Sequence, residues 1–145
     1  MTERKMEPGF LIKQISETMG KQSNRELQAC GLTHAQAHML MILSCAGEEG
    51  RSLKELEKYF HVSQPTIVGT VSRLEKKALI VSFSDPDDRR VKRVRLTEAG
   101  TDLCRISWEN IRHAEARLVS GLSDREQQEL MRLLQIVYDT IQQDD

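Results

Sequence analysis

The hydrophobic pattern changes its period in the middle of the chain, and this change constrains the fold more than any other feature. Apolar and polar residues alternate over 79–83 and again over 91–96, as in strands with one face in water. Between them, residues 84–90 read Ser-Asp-Pro-Asp-Asp-Arg-Arg, a run rich in turn formers. Elsewhere the apolar residues follow helical spacing. The pattern predicts one β-hairpin inside an otherwise helical chain.

Helix-start signals lie on both sides of this hairpin. In a capping box, a Ser or Thr hydroxyl accepts from the third amide of the helix while a Glu or Gln side chain reaches back. Three pairs have this spacing: Thr33 with Gln36, Ser52 with Glu55, and Ser123 with Glu126. Ser63 and Thr97 are further N-cap candidates, and Gly31 ends the first helix. The pattern predicts six helices, over residues 9–29, 33–46, 52–60, 63–77, 97–119 and 123–143.

The third and fourth helices are predicted to form a helix-turn-helix. The apolar residues spaced to pack them across a tight turn are Leu53, Leu56, Phe60, Val62, Ile67, Val71 and Leu74. With the hairpin, the fold class is mainly α (α+β), a winged helix-turn-helix with flanking long helices. These outer helices are amphipathic and need a partner surface, most simply the same helices of a second subunit. We therefore predict a dimerisation helix over 1–31, the winged lobe over 32–98, and dimerisation helices over 99–145.

The composition favours one cytoplasmic domain over a secreted or membrane protein. The 145 residues carry 22 acidic and 21 basic side chains, for a net charge of −1. No stretch of about 18 apolar residues is present, and the first residues are polar where a signal peptide is apolar. Cys30, Cys45 and Cys104 are odd in number and widely spaced, which argues against a disulfide framework. We expect a cytoplasmic location and no membrane partner.

The fourth helix has the features of a recognition helix. Polar side chains are expected to face away from its apolar stripe, Lys77 among them, and Pro65 lies in the first turn, where its missing N–H costs nothing. Glutamine can read adenine edges and arginine guanine edges, while threonine offers a hydroxyl and a methyl group. A plain helical hairpin has no need of such a face, which suits the major groove of double-stranded DNA. The predicted DNA contacts on this helix are Ser63, Gln64, Pro65, Thr66, Thr70 and Arg73.

The net charge conceals a strongly basic middle segment. Residues 73–95 hold eight basic and four acidic side chains, a net charge of +4, whereas residues 121–145 carry −4. A local basic patch attracts phosphates whatever the total charge is. Such a run is often only a solvated face, but this one lies on a hairpin beside a helix-turn-helix. We expect Arg89 and Arg90 to enter the minor groove as a wing, with Asp88 bracing one of them.

Several segments together carry a family resemblance. Residues 85–90, Asp-Pro-Asp-Asp-Arg-Arg, are followed by Val94 and by Leu-Thr-Glu-Ala-Gly over 96–100, in the form of a wing signature. Residues 63–67 and 73–77 have the form of the recognition helix that precedes such a wing. These motifs resemble the MarR family of bacterial transcriptional regulators, and the resemblance covers nearly the whole chain.

The resemblance implies more than the residues do by themselves. It implies an obligate homodimer joined through the first helix and the last two, a pseudo-palindromic operator, and usually a repressor released by a small ligand or by oxidation. By that pattern, Arg90 is the wing-tip arginine and Asp88 its partner. Two positions depart from it. Ala78 stands where the family usually has Gly, at a cost of roughly 1 kcal/mol if the residue is left-handed. Ser82 stands where a basic residue is common, which puts a phosphate contact there in question.

The sequence says less about what is sensed. Effector pockets in such folds lie between the dimer helices and the DNA-reading lobe, and the candidate residues here are Met19, His38, Met39, Trp108 and His113. The apolar ones are equally explained as core. His34 and His38 share a helix face and suit a metal, with His113 and Cys30 as further ligands, and Cys30 alone suits a redox switch. Paired histidines are more often solvent-facing, so we predict no metal site and no cofactor beyond a small effector.

Other functional classes remain open. The same fold serves metal-responsive or redox-responsive regulators, and a winged helix can also act as a protein-interaction module. The basic wing argues against the latter, because a protein-docking surface would be more apolar. The chain has no Gly-rich phosphate loop, nucleophile elbow or zinc-protease helix, so we predict that it is not an enzyme. The leading prediction is a homodimeric, sequence-specific DNA-binding regulator that acts as a repressor.

Overall fold

Helices dominate the computed structural model, which describes residues 7–143. The chain divides into two units, residues 1–106 and 107–145. The predicted boundaries at residues 31 and 98 stay predictions. The first six residues of the polar N-terminal segment, and Asp144 and Asp145 of the acidic C-terminal stretch, lie outside the described residues.

Each predicted helix and both predicted strands lie within two residues of their expected ends. The elements, in chain order, are α1 (Pro8–Ala29), α2 (His34–Ser44), a 3-10 turn (Gly47–Glu49), β1 (Arg51–Ser52), α3 (Leu53–Phe60), α4 (Gln64–Lys76), β2 (Ile80–Ser84), β3 (Lys92–Leu96), α5 (Glu98–Leu118) and α6 (Asp124–Gln142). The fold class predicted from the sequence, a winged helix-turn-helix in a mainly helical chain, is confirmed.

The cap residues explain why the helix starts were predictable. All three capping boxes form, with both reciprocal hydrogen bonds in each. Thr97 also caps its helix, because its hydroxyl accepts from the Gly100 N–H at 3.1 Å. Ser63 occupies the N-cap position of α4 without a capping hydrogen bond, and its Oγ lies 3.0 Å from Thr66 Oγ1 instead.

Strand β1, like the 3-10 turn before it, was not revealed by the sequence. Arg51 and Ser52 pair antiparallel with β3, so the sheet has the order β1-β3-β2. A strand of two residues is too short to show a period. Its position depends on Gly50, whose φ is +60° and whose added Cβ would lie 2.0 Å from the Val94 carbonyl oxygen. Only glycine fits this close approach.

The core of the first unit lies under the helix-turn-helix. Leu56, Leu74 and Val94 are fully buried, and they join α3, α4 and β3. Burying each such side chain contributes about 1.5–3 kcal/mol, which fixes α4 against the sheet. The spacing predicted that Val62 would join this core. Val62 instead lies exposed in the turn between α3 and α4.

In the second unit, polar contacts close the corner between its two helical segments. Gln127 donates from Nε2 to the carbonyl oxygens of Val119 and Leu122, at 3.3 and 3.2 Å. The Ser123 capping box starts α6 at the same corner. None of the helices within residues 7–143 has the length and apolar character needed to cross a membrane.

Candidate nucleic-acid interface

The N-terminal end of α4 presents small polar side chains to solvent. Ser63, Gln64, Pro65 and Thr66 are all exposed. They stand opposite the buried stripe that anchors the helix, so they are held in place by the core below them. This is the arrangement that lets a helix enter a major groove with its first turn.

Arg73 extends the exposed face of α4 by two further turns. Its guanidinium lies beside Gly69, where an added Cβ would be 3.7 Å from the Arg73 Nη1 atom. The arginine therefore lies back along the helix, and a Cβ at Gly69 would only touch it at van der Waals distance. Val68 is also exposed on α4, at 46%. The sequence interpretation did not include Val68, although its position opposite the buried stripe was available from helical periodicity.

Two side chains predicted to face DNA from this helix make contacts within the lobe instead. Thr70 is only 9% exposed, and its hydroxyl donates to the Thr66 carbonyl oxygen at 3.1 Å. It falls next to the core stripe because residues three apart share a helix face. Lys77 reaches back across the lobe, where its ammonium group donates to the Gly31 carbonyl oxygen and, at 3.3 Å, to Gln36 Oε1. The outward orientation of Thr70 was wrong, whereas Lys77 is exposed but its ammonium group is engaged within the lobe.

Asp88 braces Arg90 at the tip of the wing, as the sequence predicted. Its carboxylate accepts from the Arg90 backbone N–H and from Nε, both at 3.1 Å, and from Nη2 at 3.2 Å. The side-chain bond and then the backbone bond hold the pKa of Asp88 below its ordinary value of 3.8. The brace is thus present above that value and is lost only as the pH falls through the lower folded-state pKa. It is intact at neutral pH.

The wing surface is basic and concave. Arg89, Arg90 and Lys92 surround a shallow depression of about 280 Å³, together with Ser82, Phe83 and Ser84. The Arg90 side chain is 91% exposed although Asp88 holds it, so its guanidinium edge stays available to an anion. Three cations around one depression attract phosphate oxygens or the negative potential of a narrow minor groove.

Residues 73–95 offer fewer unpaired cations to DNA than the count of basic residues in this segment suggests. Two arginines of the segment are already paired with acids: Arg93, largely buried, with Asp85 at 3.3 Å and with Glu55, and Arg95, at the surface, with Glu48 at 2.7 Å. Two of these acids lie outside the segment that was counted. Ser82, where the family usually has a basic residue, donates instead to the Glu75 carboxylate.

The predicted effector residues lie in different environments. Met39 is part of the buried core, at 2% exposure, whereas Met19 and the lone Trp108 are partly exposed. His38 packs edge-on against Phe60, with ring centroids 4.9 Å apart. His113 belongs to the second unit and is exposed. Their role in effector binding stays a prediction.

The metal and redox candidates have other contacts. Among residues 7–143, no group of three or more His, Cys, Asp and Glu side chains is arranged to hold a metal ion. His34 hydrogen-bonds through Nε2 to Asn24 Oδ1. Cys30 and Cys45 are exposed, and Cys104 is buried. Burial, followed by the nearby Cys45, raises the pKa of the Cys104 thiol, which disfavours the reactive thiolate.

Comparison with known proteins agrees with this geometry. The MarR family model matches residues 32–92, which contain α2, the helix-turn-helix and most of the wing. The HTH-type transcriptional repressor IacR of Pseudomonas putida is 26% identical over 135 residues, covering 93% of this chain and 80% of that protein.

Solved structures of MepR from S. aureus share the fold. A MepR mutant superposes with a TM-score of 0.84 at 26% identity, over 93% of this chain and 98% of that chain. Another mutant, bound to an oligodeoxyribonucleotide, gives a TM-score of 0.74 at 26% identity, over 92% and 96% of the two chains. With its helix-turn-helix and its Asp88–Arg90 wing tip, the chain carries a segment, residues 32–92, that matches the MarR family.

Proposed function

We propose that this regulator is a homodimeric repressor that binds a pseudo-palindromic DNA operator. The observation that carries the proposal is the pairing of two surfaces in one lobe. The exposed first turns of α4 suit a major groove, and the cationic wing tip suits the adjacent minor groove. A MepR mutant that shares this fold was solved bound to an oligodeoxyribonucleotide, which supports DNA binding by this chain.

The proposed dimer follows from apolar surface that a single chain leaves in water. Exposed large apolar side chains line α1, α5 and α6: Phe10, Leu11, Ile12, Ile15, Met19, Ile106, Trp108, Ile111, Leu118, Leu133, Leu134, Ile136, Val137, Tyr138 and Ile141. Soluble monomers rarely expose contiguous apolar surface on this scale. A two-fold dimer would bury it and set two α4 helices about 34 Å apart, one turn of DNA.

Selection from a random duplex library tests the DNA-binding function. The purified full-length protein is expected to enrich two inverted half-sites whose centres lie about 10 base pairs apart. The same selection with Gln64→Ala is expected to relax base preference within each half-site, because glutamine reads adenine edges. Recovery of no motif would contradict the function and favour a protein-interaction module.

We further propose that a small effector, with no resident cofactor and no catalytic step, releases the protein from DNA. A bacterial operator-binding protein works where the chromosome is, so we expect a cytoplasmic location. Repeating the operator titration with small aromatic acids, zinc and peroxide separates the modes of control. Release by zinc or peroxide alone would replace the small-effector proposal with the metal-responsive or redox-responsive one.

A further inference from the structure

Arg93 lies in the central strand of the sheet, and its side chain points back toward the segment before α3. Its backbone is in register with Ser52 on one side and Phe83 on the other. Its Nε donates to the Glu49 carbonyl oxygen at 2.8 Å, and its Nη2 to the Gly50 carbonyl oxygen at 3.2 Å. Only 18% of the side chain is exposed. The charge is therefore turned into the lobe and away from solvent.

Two carboxylates complete the surroundings of this guanidinium. Asp85, at the base of the wing loop, accepts from Nη1 through Oδ2 at 3.3 Å. Glu55 Oε2 lies 3.8 Å from Nη2, and the same oxygen accepts from the Ser52 N–H at 2.7 Å in the capping box of α3. Charge-assisted hydrogen bonds to a partly buried fork are stronger than exposed ion pairs. One side chain thus joins the start of α3 to the wing loop.

The contacts continue from Asp85 to the wing tip. Asp85 Oδ1 accepts from the N–H groups of Asp87 and Asp88, at 2.8 and 3.2 Å. The Asp88 carboxylate in turn holds the Arg90 guanidinium. A continuous chain of polar contacts therefore runs from the first turn of the helix-turn-helix to the exposed arginine.

The backbone path beneath Arg93 is fixed as well. Gly50 lies in the left-handed region, and its close approach to the Val94 carbonyl oxygen leaves no room for a Cβ atom. The Gly50 carbonyl oxygen therefore stays within reach of Arg93. On the helix-turn-helix side, the guanidinium is thus held by a backbone acceptor whose position is fixed. The other end of the network is the wing loop.

Resting on the proposed function, we propose that Arg93 is a positioning residue. It holds the wing against the helix-turn-helix so that Arg90 meets DNA, and it makes no phosphate contact of its own. The sequence pattern had counted Arg93 among the basic residues of the segment that attracts phosphate.

A double-mutant cycle on operator affinity tests this proposal. Arg90→Ala is expected to weaken binding by about tenfold in the wild-type background. In an Arg93→Met background, where the wing is no longer held, the same change is expected to cost less than about twofold. Arg95→Met is the matched control, because Arg95 lies in the same strand but pairs with Glu48 and covers the Phe83 ring. Its effect and that of Arg90→Ala are expected to multiply.

A second variant keeps the test decisive if Arg93→Met does not fold. Asp85→Asn retains an acceptor for the wing amides but removes the charge that Arg93 holds, and it is expected to reduce the Arg90 effect in the same way. Fully multiplicative losses in folded Arg93→Met or Asp85→Asn would overturn the positioning role and leave the DNA-binding function standing. Failure of the wild-type protein to bind any duplex would overturn both.

Discussion

Ala78 adopts a backbone conformation that the fold requires and that alanine disfavours. It ends α4 with φ at +57°, a conformation that costs an L-amino acid about 1–2 kcal/mol. The turn is held by neighbouring hydrogen bonds, including Leu79 N–H to the Leu74 carbonyl oxygen at 3.1 Å. The strain therefore persists because the start of β2 and the end of α4 are both fixed.

Ala78→Gly is expected to raise the free energy of unfolding by about 0.5–1 kcal/mol, since relief of strain exceeds the added entropy of the unfolded chain. Ala99→Gly is the matched control, because Ala99 is an exposed helical residue of α5. That change is expected to lower the free energy of unfolding by about 1 kcal/mol. Urea denaturation at one protein concentration measures both. Equal losses for the two variants would contradict the left-handed turn.

Arg90 is the residue expected to contribute most directly to the salt dependence of DNA binding. Arg90→Ala should make the slope of log K against log salt shallower by about 0.9, the value for one released counterion. Arg95→Ala should leave the slope unchanged because Arg95 is already paired with the Glu48 carboxylate, at 2.7 Å. Operator titrations between low and moderate salt measure both slopes. An unchanged slope for Arg90→Ala would remove the wing tip from the DNA interface.

At the scale of elements, helix ends were predictable and inward-turned side chains were not. Capping boxes are local, so four residues of sequence suffice to place a helix start. The orientations of Lys77 and Arg93 depend on carbonyl oxygens more than forty residues away, at Gly31 and Gly50. Basic residues that follow a helix-turn-helix look alike in a sequence, whether they bind phosphate or hold the lobe together.

Within α4, the two threonines test the observed orientation of the helix. Thr66→Val is expected to weaken operator binding by about fivefold, because an exposed hydroxyl that can reach a base or phosphate is lost. Thr70→Val keeps the volume of a buried side chain and is expected to change affinity by less than about twofold. Titration of the selected operator compares them. A larger loss for Thr70→Val would place Thr70 in the groove, as the sequence first predicted.

At the scale of the whole molecule, a net charge of −1 is compatible with DNA binding because the charges are segregated along the chain. The exposed cations Arg89, Arg90 and Lys92 lie on the wing or at its base, and exposed apolar side chains lie on the long helices. The chain is long enough to form one protomer. Its exposed apolar faces are the surface that a second protomer would cover in the proposed dimer. Hydrophobic periodicity predicted the apolar faces of the long helices. The surface that covers these faces belongs to the dimer and not to one chain.

Leu134→Asp places a charge on the apolar face of α6 and is expected to shift the protein from dimer to monomer at micromolar concentration. Gln128→Asp, on the polar face of the same helix, is the matched control and is expected to stay dimeric. Sedimentation measures both states. A wild-type protein that sediments as a monomer would refute the proposed assembly. A Leu134→Asp variant that stays dimeric would place the interface elsewhere.

The central claim is that one dimer reads two half-sites with α4 and grips the flanking minor grooves with Arg90. Hydroxyl-radical footprinting on the selected operator tests it most directly. We expect two protected half-sites on one face of the duplex, centred about 10 base pairs apart, each with a flanking minor-groove protection that Arg90→Ala removes. A single protected segment, or flanking protections that persist in Arg90→Ala, would contradict it.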